Sequence, residues 1–544
     1  MKSLFAFVLG CALLVGFVGC GGGSSTPAPT PTPVNPATVT PAAATVPVGG
    51  TQLFTATNFS GTVLWSINPQ VGTIDANGIY HAPASFPSPN NLTVTASASG
   101  VSSTATATVE FPNHNGDAQS APILLGSSGA NIADVGSRVC CIGTLGSLWN
   151  RGSAAVILSN NHVLARSDQG VIGEAIQQPG QAACFSSNIN VANLTAKAAL
   201  TPAGTTQGRT GPSPSNTDSA VATVIPGQVD AAGTILDLGP AGASSIAAAP
   251  PSSTIGMASV GLAVAKSGRT TGLTCSTINS INANIVVGYE TACGSNITNF
   301  NAIYANQVVI SGGSFSGSGD SGSLVVTQAE SRPVALLYGG STTDTVANPI
   351  QDVIAALTLT PIAGNPDHAV SCQPTVSNGL QVNGQSATVG LSSAERQRVT
   401  AVQQRRAANL MQDSAVKAVE VGASADNPKE GALVIHVAQP LSAPVPQMID
   451  GVRTRLVVQD GSGVQLPEVG QVQIDHATAV KDAHVADLMS QPGIQGVGVS
   501  ISADNPTETA VSIYVIKGVA HPAIPAVLDG IRTRIFEGDR FKAY

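Results

Sequence analysis

The sequence predicts a multidomain, mainly β protein, and three observations support this fold class. The chain has 544 residues, more than one ordinary hydrophobic core accommodates, so several domains are expected. It contains 58 Gly and 35 Pro, whereas only 10% of its residues are charged and 4% are aromatic. Short alternating stretches rich in Val, Thr and Ala lie between these turn residues, a pattern typical of β-strands.

Charge and hydropathy limit the classes of partner. The net charge is −8 without a basic stripe, so a nucleic-acid partner is not expected. Beyond the N-terminus, apolar stretches such as IGMASVGLAVA are too short, and too often interrupted by Gly and Ser, to span a bilayer. No Cys-x-x-Cys or Cys/His spacing indicates zinc, so we expect neither a metal nor a cofactor.

Residues 1–20 have the features of a secretory signal peptide. Lys2 precedes an unbroken apolar stretch, and small residues precede Cys20. The sequence FVGC resembles the lipobox of bacterial lipoproteins, which implies that Cys20 is diacylated and becomes the mature N-terminus. The alternative is simple secretion with removal of Cys20. Residues 21–36, rich in Gly, Ser, Pro and Thr, would be a tether at the bacterial cell surface or outer membrane.

The cysteines agree with export. Beyond the signal peptide the chain has an even number, which in an exported protein predicts disulfides, with fifteen possible connectivities. The first choice is Cys275 with Cys293, because these residues flank one hairpin-like segment. The next is Cys140 or Cys141 with Cys184. The six candidates are Cys140, Cys141, Cys184, Cys275, Cys293 and Cys372.

Residues 37–111 are predicted to form a β-sandwich. Short alternating strands are separated by Gly, Asn and Pro turns at sandwich-like spacing. The segment resembles the bacterial Ig-like domain, with GTIDANGIYHAP as its most informative stretch and Trp65 as the core aromatic. Such a domain would serve as a spacer or an adhesive module, and His81 within it is interpreted as structural.

Residues 117–360 form the largest β-rich segment and contain the stretch GSGDSGS, from Gly317 to Ser323, between two predicted strands. A plain turn could use these residues, and so could a loop that presents Ser321 as a nucleophile. A nucleophilic serine needs an adjacent base, a carboxylate that orients this base, and N–H donors for the developing oxyanion.

The candidate base is His162, which follows an apolar strand in AAVILSNNHVLA, whereas His114 lies in a linker. If the order along the chain is His, Asp, Ser, the carboxylate lies between His162 and Ser321. Asp218 is the best candidate, because it precedes an apolar strand after a long polar loop. The full set of candidates is Asp168, Glu174, Asp218, Asp230, Asp237, Glu290 and Asp320.

The stretches ILSNNHVLA, TDSAVATV and GDSGS, in this order, resemble the trypsin-like (chymotrypsin-fold) serine protease family, and KSGRTTGLTCSTI resembles the segment that opens the second barrel in its bacterial members. The resemblance covers roughly 240 residues and implies a double β-barrel. It also implies His162 as base and acid, Asp218 as the orienting carboxylate, Ser321 as the nucleophile, and the N–H groups of Gly319 and Ser321 as the oxyanion hole.

The sequence departs from the family at three positions. Ser323 replaces a usual glycine. In many eukaryotic relatives the aspartate that matches Asp320 pairs with a freed N-terminus. The same activation here would need cleavage between about Asp117 and Leu125. Phe315, which the resemblance places at the primary specificity pocket with Gly339 and Gly340, stands where proteases that cut after Lys or Arg carry Asp. The expected preference is therefore for a small or apolar side chain.

The C-terminal part is predicted to contain two α+β repeats, residues 391–465 and 466–544, after a linker at 361–390. NLMQDSAVKAVEVGASADNPKEGALVIHV recurs as DLMSQPGIQGVGVSISADNPTETAVSIYV, with Ser424 matching Ser502. Ser392 and Glu395 form a capping box at the start of a helix. Whether the repeats cover the cleft or recruit substrate is left open by the sequence.

The predicted function is a cell-surface serine endopeptidase that hydrolyses peptide bonds through an acyl-enzyme, with a protein or peptide as substrate. The alternative is a catalytically retired protease that serves as an adhesin or binding scaffold. A third possibility is self-processing, in which the protease releases its own repeats or tether. The sequence leaves the oligomeric state open.

Overall fold

A computed structural model describes residues 35–84, 87, 89–110, 113–134, 142–180, 188–202, 216–242, 245–291, 297–372, 391–459 and 466–544. The chain divides into two compact units, Met1–Pro83 with Pro87–Val109 and Ala84–Phe86 with Glu110–Tyr544. The described residues form 32 strands and four helices, so the prediction of a mainly β protein is confirmed. No helix among them is long and apolar enough to cross a membrane. The predicted signal peptide, Cys20, Cys140, Cys141, Cys184 and Cys293 lie outside the described residues.

The first unit contains nine strands in small antiparallel sheets. One sheet has the order β2-β9-β8-β5, another β3-β7-β6, and β1 pairs with β4. The strands are β1 (Thr38–Thr40), β2 (Ala43–Pro47), β3 (Thr51–Leu53), β4 (Thr55–Thr57), β5 (Leu64–Asn68), β6 (Thr73–Ile74), β7 (Ile79–His81), β8 (Asn91–Ala98) and β9 (Val101–Glu110).

The core of the first unit is built around Phe54 and Tyr80, which are fully buried, with Val, Leu and Ala from the alternating strands. The Tyr80 hydroxyl donates to the Val71 carbonyl at 2.8 Å. Trp65, the predicted core aromatic, is only partly buried and packs against this cluster from its edge. It lies over Gly78, where an added Cβ would come within 2.8 Å of the indole ring.

The second unit begins with an eight-stranded sheet of order β11-β10-β14-β15-β16-β13-β12-β23. Its apolar interior includes Leu145, Trp149, Ile157 and Val221. Its elements are β10 (Ser127–Asn131), β11 (Gly143–Leu145), β12 (Ser147–Arg151), β13 (Ala154–Ser159), α1 (Asn161–Leu164), β14 (Ala175–Gln178), β15 (Ile189–Lys197) and β16 (Ala220–Val224); β23 (Thr360–Pro361) joins it from further along the chain.

A second, eleven-stranded sheet follows, with the path β17-β20-β21-β22-β19-β18 at its start. The loop from Gly317 to Ser323 lies between β19 and β20, as the sequence predicts. The elements are β17 (Ala263–Gly268), β18 (Gly272–Tyr289), β19 (Phe300–Ser311), β20 (Leu324–Thr327), β21 (Pro333–Gly340), β22 (Asp344–Pro349) and α2 (Ile350–Leu357).

A disulfide joins Cys275 in β18 to Cys372, with a Cα–Cα distance of 5.9 Å. The predicted pairing of Cys275 with Cys293 is therefore wrong. Cys275 lies near the start of β18, and 14 residues separate it from Tyr289 at the strand's end (289 − 275). At about 3.3 Å per residue, this separation greatly exceeds the ~7 Å Cα limit for a disulfide. Residues 361–372, predicted to open the linker, pack on the second unit through Val370.

The remaining chain repeats one order of elements: a long helix, two antiparallel strands, a short strand and a final strand parallel to the second. Ser392 caps the first helix, as predicted, by accepting a hydrogen bond from the Glu395 amide. The first set is α3 (Ser393–Leu410), β24 (Val416–Ala423), β25 (Gly431–Val437), β26 (Met448–Ile449) and β27 (Val452–Val458); the second is α4 (Gln471–Ser490), β28 (Ile494–Ile501), β29 (Thr509–Ile516), β30 (Val527–Leu528) and β31 (Ile531–Gly538), followed by β32 (Lys542–Ala543).

The two sets contact each other reciprocally. Ser424 Oγ donates to Asp504 Oδ2 at 2.6 Å, and its counterpart Ser502 donates to Asp426 Oδ2 at 2.5 Å. The amides following the two serines donate to the second oxygen of the same carboxylates, both at 2.6 Å. Each buried aspartate of a DNP turn is therefore bound by the other repeat.

Of the two sets, as far as the structure describes them, the second joins the eleven-stranded sheet and the first forms a separate four-stranded sheet. The junction is the pairing of β28 with β18, at Ile281↔Val499 and Ile285↔Gly496. A Cβ at Gly498 would lie 2.3 Å from Ser280 Oγ, and one at Gly496 would lie 2.7 Å from the Ile285 side chain. The equivalent residues of the first repeat, 78 positions earlier, are Ala418 and Glu420. The glycines thus allow the close approach of this repeat to β18.

Candidate active site

His162 lies directly after the buried strand β13, in the short helix α1. Since β13 pairs with β16 at Ser159↔Ala220, the end of one strand and the start of the other lie side by side. This arrangement brings His162 Nδ1 to 2.6 Å from Asp218 Oδ2, and the His162 amide donates to Asp218 Oδ1 at 3.2 Å. The imidazole is 9% exposed and the carboxylate is fully buried.

Asp218 receives further hydrogen bonds. The Tyr289 hydroxyl donates to Asp218 Oδ2 at 2.8 Å and lies 2.7 Å from the Tyr304 hydroxyl. Burial raises the pKa of both tyrosines well above the ordinary value, so both hydroxyls keep their protons. The Asp218 amide is fixed by Asn348 Oδ1 at 2.9 Å. The donors from His162 and Tyr289, together with the fixed amide, therefore hold the Asp218 carboxylate in one orientation.

The other candidate carboxylates have partners elsewhere. Asp168 accepts hydrogen bonds from Asn161 Nδ2 and the Leu200 amide, and Glu174 pairs with Arg166. Asp230 accepts from Thr234 at 2.6 Å. Burial raises the pKa of Asp237 to about 6, and the electrostatic effect of His114 opposes this rise. The structure therefore brings Asp218, and not these residues, to the Nδ1 atom of His162.

Opposing influences act on the pKa of His162. Burial of the imidazole would lower it, but the adjacent Asp218 carboxylate, together with the Tyr544 carbonyl and Asp134, holds the pKa above its ordinary value of 6.5. The charged imidazole is therefore favoured, as expected for an imidazole hydrogen-bonded to a carboxylate and an acceptor oxygen.

Ser321 lies at the turn of the GSGDSGS loop and is fully buried. Its Oγ donates to the Tyr338 carbonyl at 3.1 Å, and its own carbonyl accepts from the Thr144 amide at 2.8 Å. His162 Nε2, on the side opposite Asp218, instead lies 3.0 Å from the Tyr544 carbonyl oxygen. Ser321 and His162 thus bond to carbonyl groups of other residues in this structure.

Asp320 anchors the loop from within. Its carboxylate accepts from the amides of Thr270 (2.8 Å) and Gly317 (2.9 Å) and from the Thr271 hydroxyl (2.7 Å). Lys266 Nζ lies 3.6 Å from Asp320 Oδ2, and both side chains are fully buried. Burial lowers the pKa of Lys266 to about 8, against the opposing effect of Asp320. An internal cation therefore faces the aspartate that the resemblance would pair with a freed N-terminus.

Gly319 has a φ of +100°, and a Cβ at this position would lie 2.5 Å from Thr270 Oγ1. Both observations require glycine here. Within the described residues, the amides of Gly319 and Ser321 form no hydrogen bond with the protein. Two N–H groups near Ser321 thus remain available to an oxygen from outside the loop.

Gly339 and Gly340 end β21 and pair with the last strand of the chain, at Gly339↔Ala543 and Gly340↔Lys542. A Cβ at Gly340 would lie 2.3 Å from the Tyr544 hydroxyl oxygen. Phe315 is buried in the apolar cluster against which Tyr544 packs. Gly340 and the cluster that contains Phe315 therefore lie against the Tyr544 side chain, whereas Gly339 faces the backbone of Lys542 and Ala543.

The described residues contain no group of three or more His, Cys, Asp or Glu side chains that could hold a metal ion. Three features of the site escaped the sequence reasoning. Tyr289 had no signal beyond its position at the end of an apolar strand. Lys266 lies in the stretch KSGRTTGLTCSTI, where the sequence gives no sign that its side chain is buried against Asp320. The contact of Tyr544 with His162 spans 382 residues, which no local pattern reveals.

No protein-family model matches the chain, and no curated protein matches it. Solved structures similar to it include a glutamic-acid-specific serine protease, at 18% identity and a TM-score of 0.29, covering 44% of this chain and 100% of that one. Protease A of Thermobifida fusca matches at 16% and 0.29, covering 44% and 99%. A chymotrypsin of Cellulomonas bogoriensis matches at 16% and 0.28, covering 44% and 99%.

Proposed function

We propose that this protein is a serine endopeptidase of the trypsin-like family, with a chymotrypsin-type double β-barrel formed by the first two sheets of the second unit. The observation that carries the proposal is the contact of His162 Nδ1 with the buried, tyrosine-bound Asp218, beside a glycine-bounded loop that presents Ser321. An orienting carboxylate, a base and a serine near two free amides are the parts that acyl transfer needs.

In the proposed reaction, Ser321 Oγ turns from the Tyr338 carbonyl to His162 Nε2 and attacks the substrate carbonyl carbon. The hydroxyl proton passes to Nε2, and Asp218 stabilises the resulting imidazolium. The N–H groups of Gly319 and Ser321 donate to the oxyanion. The imidazolium then gives its proton to the leaving amine, and water hydrolyses the acyl-enzyme by the same steps in reverse.

In this proposal the buried ion pair between Lys266 and Asp320 holds the loop from Gly317 to Ser323 in place, so that no freed N-terminus is required. In this proposal cleavage between Asp117 and Leu125 is not needed for activity. The first unit would be an Ig-like spacer and Cys20 a lipid anchor that exposes the enzyme at the bacterial surface. These assignments rest on the sequence resemblance.

The test is covalent labelling of the purified protein with a fluorophosphonate, followed over time beside Ser321→Ala and His162→Ala. Label on Ser321 in the wild type, absent from both variants, is the expected result. Equal labelling of Ser321→Ala would place the reactive nucleophile elsewhere and refute the assignment.

The alternative function is a retired protease that serves as a surface scaffold. One observation favours it: the cleft is occupied by the chain itself, with Tyr544 at His162. Absence of labelling, both in the wild type and in a variant shortened to end at Phe541, with retained folding by circular dichroism, would support the scaffold.

A further inference from the structure

The last residues of the sequence form a strand in the cleft. Gly339 and Gly340 at the end of β21 pair antiparallel with β32, and Gly288 in β18 pairs parallel with Lys542 on the other side. The Tyr544 amide donates to the Tyr338 carbonyl at 3.4 Å, and the Gly288 amide donates to the Phe541 carbonyl at 3.0 Å. Strand addition of this kind is a common way for proteins to bind an extended peptide.

The register of this strand brings a carbonyl group to the candidate catalytic residues. Tyr544 follows directly after β32, and its carbonyl oxygen lies 3.0 Å from His162 Nε2. The carbonyl of Tyr338, which accepts from Tyr544, is also the acceptor for Ser321 Oγ. The Tyr544 carbonyl therefore lies against the proposed base, and the Tyr338 carbonyl links this residue to the proposed nucleophile.

The side chain of Tyr544 enters a mostly enclosed pocket. Its hydroxyl donates to the Ser341 carbonyl at 3.2 Å, and its ring packs on the cluster that contains Phe315. Gly340 forms one wall, because a Cβ there would overlap the hydroxyl end of the ring. Burial raises the pKa of Tyr544, so the phenol is neutral in this pocket.

We propose that residues 541–544 act as an intramolecular, substrate-like inhibitor, and that the pocket filled by Tyr544 selects an aromatic side chain immediately before the bond to be cleaved. The proposal rests on the proposed peptidase function and deepens it. The inhibitor occupies the strand-pairing edge, the specificity pocket and the imidazole together, so a peptide substrate and the tail exclude each other.

The tail is held in place by contacts outside the cleft. Phe541 is buried, packs edge-on against Tyr514 of β29, and its amide donates to Gln495 Oε1. The Thr342 hydroxyl donates to Asp539 Oδ2 at 2.6 Å. Since β28 is itself paired with β18, the second repeat delivers the tail at a high effective concentration. Occupancy of the cleft is therefore expected in the resting protein.

Two carboxylates near the pocket would favour a basic side chain over an aromatic one. The carboxylates of Asp320 and Asp344 both raise the pKa of Tyr544 electrostatically, and such charges would also attract Lys or Arg. However, Asp320 is already paired with Lys266. Asp344 Oδ2 already accepts from the Thr343 hydroxyl at 2.8 Å, and burial raises the pKa of this carboxyl above its ordinary value. The apolar lining and the carbonyl of Ser341 then favour a neutral aromatic ring.

The experiment compares the wild type with a variant that ends at Phe541, with Tyr544→Gly, and with the control Lys517→Ala, an exposed side chain of the same repeat that lies outside the tail. Hydrolysis is measured on peptide anilides that carry Phe, Tyr, Ala, Lys or Glu before the anilide. We expect kcat/KM for the Phe and Tyr substrates to rise about tenfold or more in the shortened variant and in Tyr544→Gly, because an intramolecular competitor is removed. Lys517→Ala should behave as the wild type.

A binding measurement separates the tail from the chemistry. A fluorescein-labelled peptide Arg-Phe-Lys-Ala-Tyr is titrated into the shortened protein that also carries Ser321→Ala, with the peptide ending in Gly as the control. Saturable binding of the Tyr peptide alone is expected.

Equal hydrolysis by the wild type and both tail variants would overturn the inhibition while the peptidase function stands. Preference for the Lys substrate would overturn the aromatic pocket. Peptide binding without hydrolysis by any variant would uphold the binding of Tyr544 in the pocket but overturn the peptidase function. If neither binding nor hydrolysis were found, both the tail inhibitor and the peptidase function would be overturned.

Discussion

Tyr289 and His162 bond to the same carboxylate oxygen, Oδ2 of Asp218, at 2.8 and 2.6 Å. The rings of the two residues meet edge to face, with centroids 6.0 Å apart. The tyrosine hydroxyl and the imidazole therefore bond to the same negative charge, which sets the basicity of His162. Removal of the hydroxyl should change this basicity.

Replacement of Tyr289 by Phe removes one donor from a fully buried carboxylate. The charge of Asp218 then acts more strongly on His162, so we expect the acid limb of the pH profile of kcat/KM to move to higher pH. The buried Tyr304 hydroxyl also loses its partner, which costs about 1–3 kcal/mol of stability. Tyr80→Phe, which removes a buried hydroxyl from the first unit, should leave the profile unchanged. An unmoved limb in Tyr289→Phe would make this residue merely structural.

Asp218→Asn keeps the shape of the side chain but removes the charge that fixes the imidazole. Because the amide can present an N–H to Nδ1, it favours the wrong tautomer, and kcat should fall by about 10⁴-fold. Active-site labelling and single-turnover hydrolysis measure this loss. Asp168→Asn is the matched control, because Asp168 lies on the neighbouring loop without contacting the imidazole, and comparable losses in the two variants would refute the assignment.

Lys266→Met leaves Asp320 buried without its cation. Breaking one side of a buried ion pair typically costs about 3–5 kcal/mol, so we expect a lower midpoint of thermal unfolding and loss of labelling at Ser321. Lys266→Arg should retain most of both. The double variant Lys266→Met/Asp320→Asn should recover stability but not activity, since the loop still lacks its anchor. Full activity in Lys266→Met would show that the loop needs no internal cation.

The raised pKa of His162 gives a sign for the pH dependence. The base must be neutral to accept a proton, so the rate of fluorophosphonate labelling should rise as pH increases through a pKa above 6.5. In the variant ending at Phe541 the limb should move to lower pH, because the Tyr544 carbonyl no longer favours the charged imidazole. A limb that moved upward instead would contradict this account.

Burial and, after it, the nearby Asp426 carboxylate together raise the pKa of Asp504 to about 6. A raised folded-state pKa contributes stability below the unfolded value of 3.8, and this contribution is lost as pH rises through about 6. Asp504→Asn removes the titration, so its unfolding free energy relative to the wild type should increase between pH 4 and 7. Chemical denaturation measures this difference, and Asp475→Asn, on the exposed face of α4, should show no such trend.

The sequence predicted those parts of the site that short motifs encode. His162 follows its strand, Asp218 precedes its own, and Ser321 lies in a glycine-bounded loop, and the pairing of β13 with β16 explains how two of these residues meet. Their catalytic roles stay predictions. The mainly β architecture followed from alternation and turn residues, whereas the identity of the Ig-like unit and of the barrel is proposed.

The rest depends on distant packing. The partner of Cys275 was misjudged because the sequence does not reveal that β18 continues to Tyr289, and a segment that looks like a hairpin is one long strand. Trp65 was expected in the core from the resemblance to the bacterial Ig-like domain, yet Phe54 and Tyr80 are the buried aromatics and Trp65 is only partly buried. The position of Tyr544 follows the pairing of β28 with β18, a contact between segments far apart in the sequence that no local pattern reveals.

The exchange of serine–aspartate hydrogen bonds between the two repeats has the form of a twofold-symmetric homodimer fused into one polypeptide. Symmetry would give both copies the same neighbours, but duplication within a chain lets them diverge. Two glycines in β28 fitted one copy to the edge of another sheet, while β24 keeps Glu420, a charge typical of a strand edge that avoids further pairing. The two copies therefore keep the same internal order of strands and the same mutual contacts, while only one of them has backbone positions that admit a further strand.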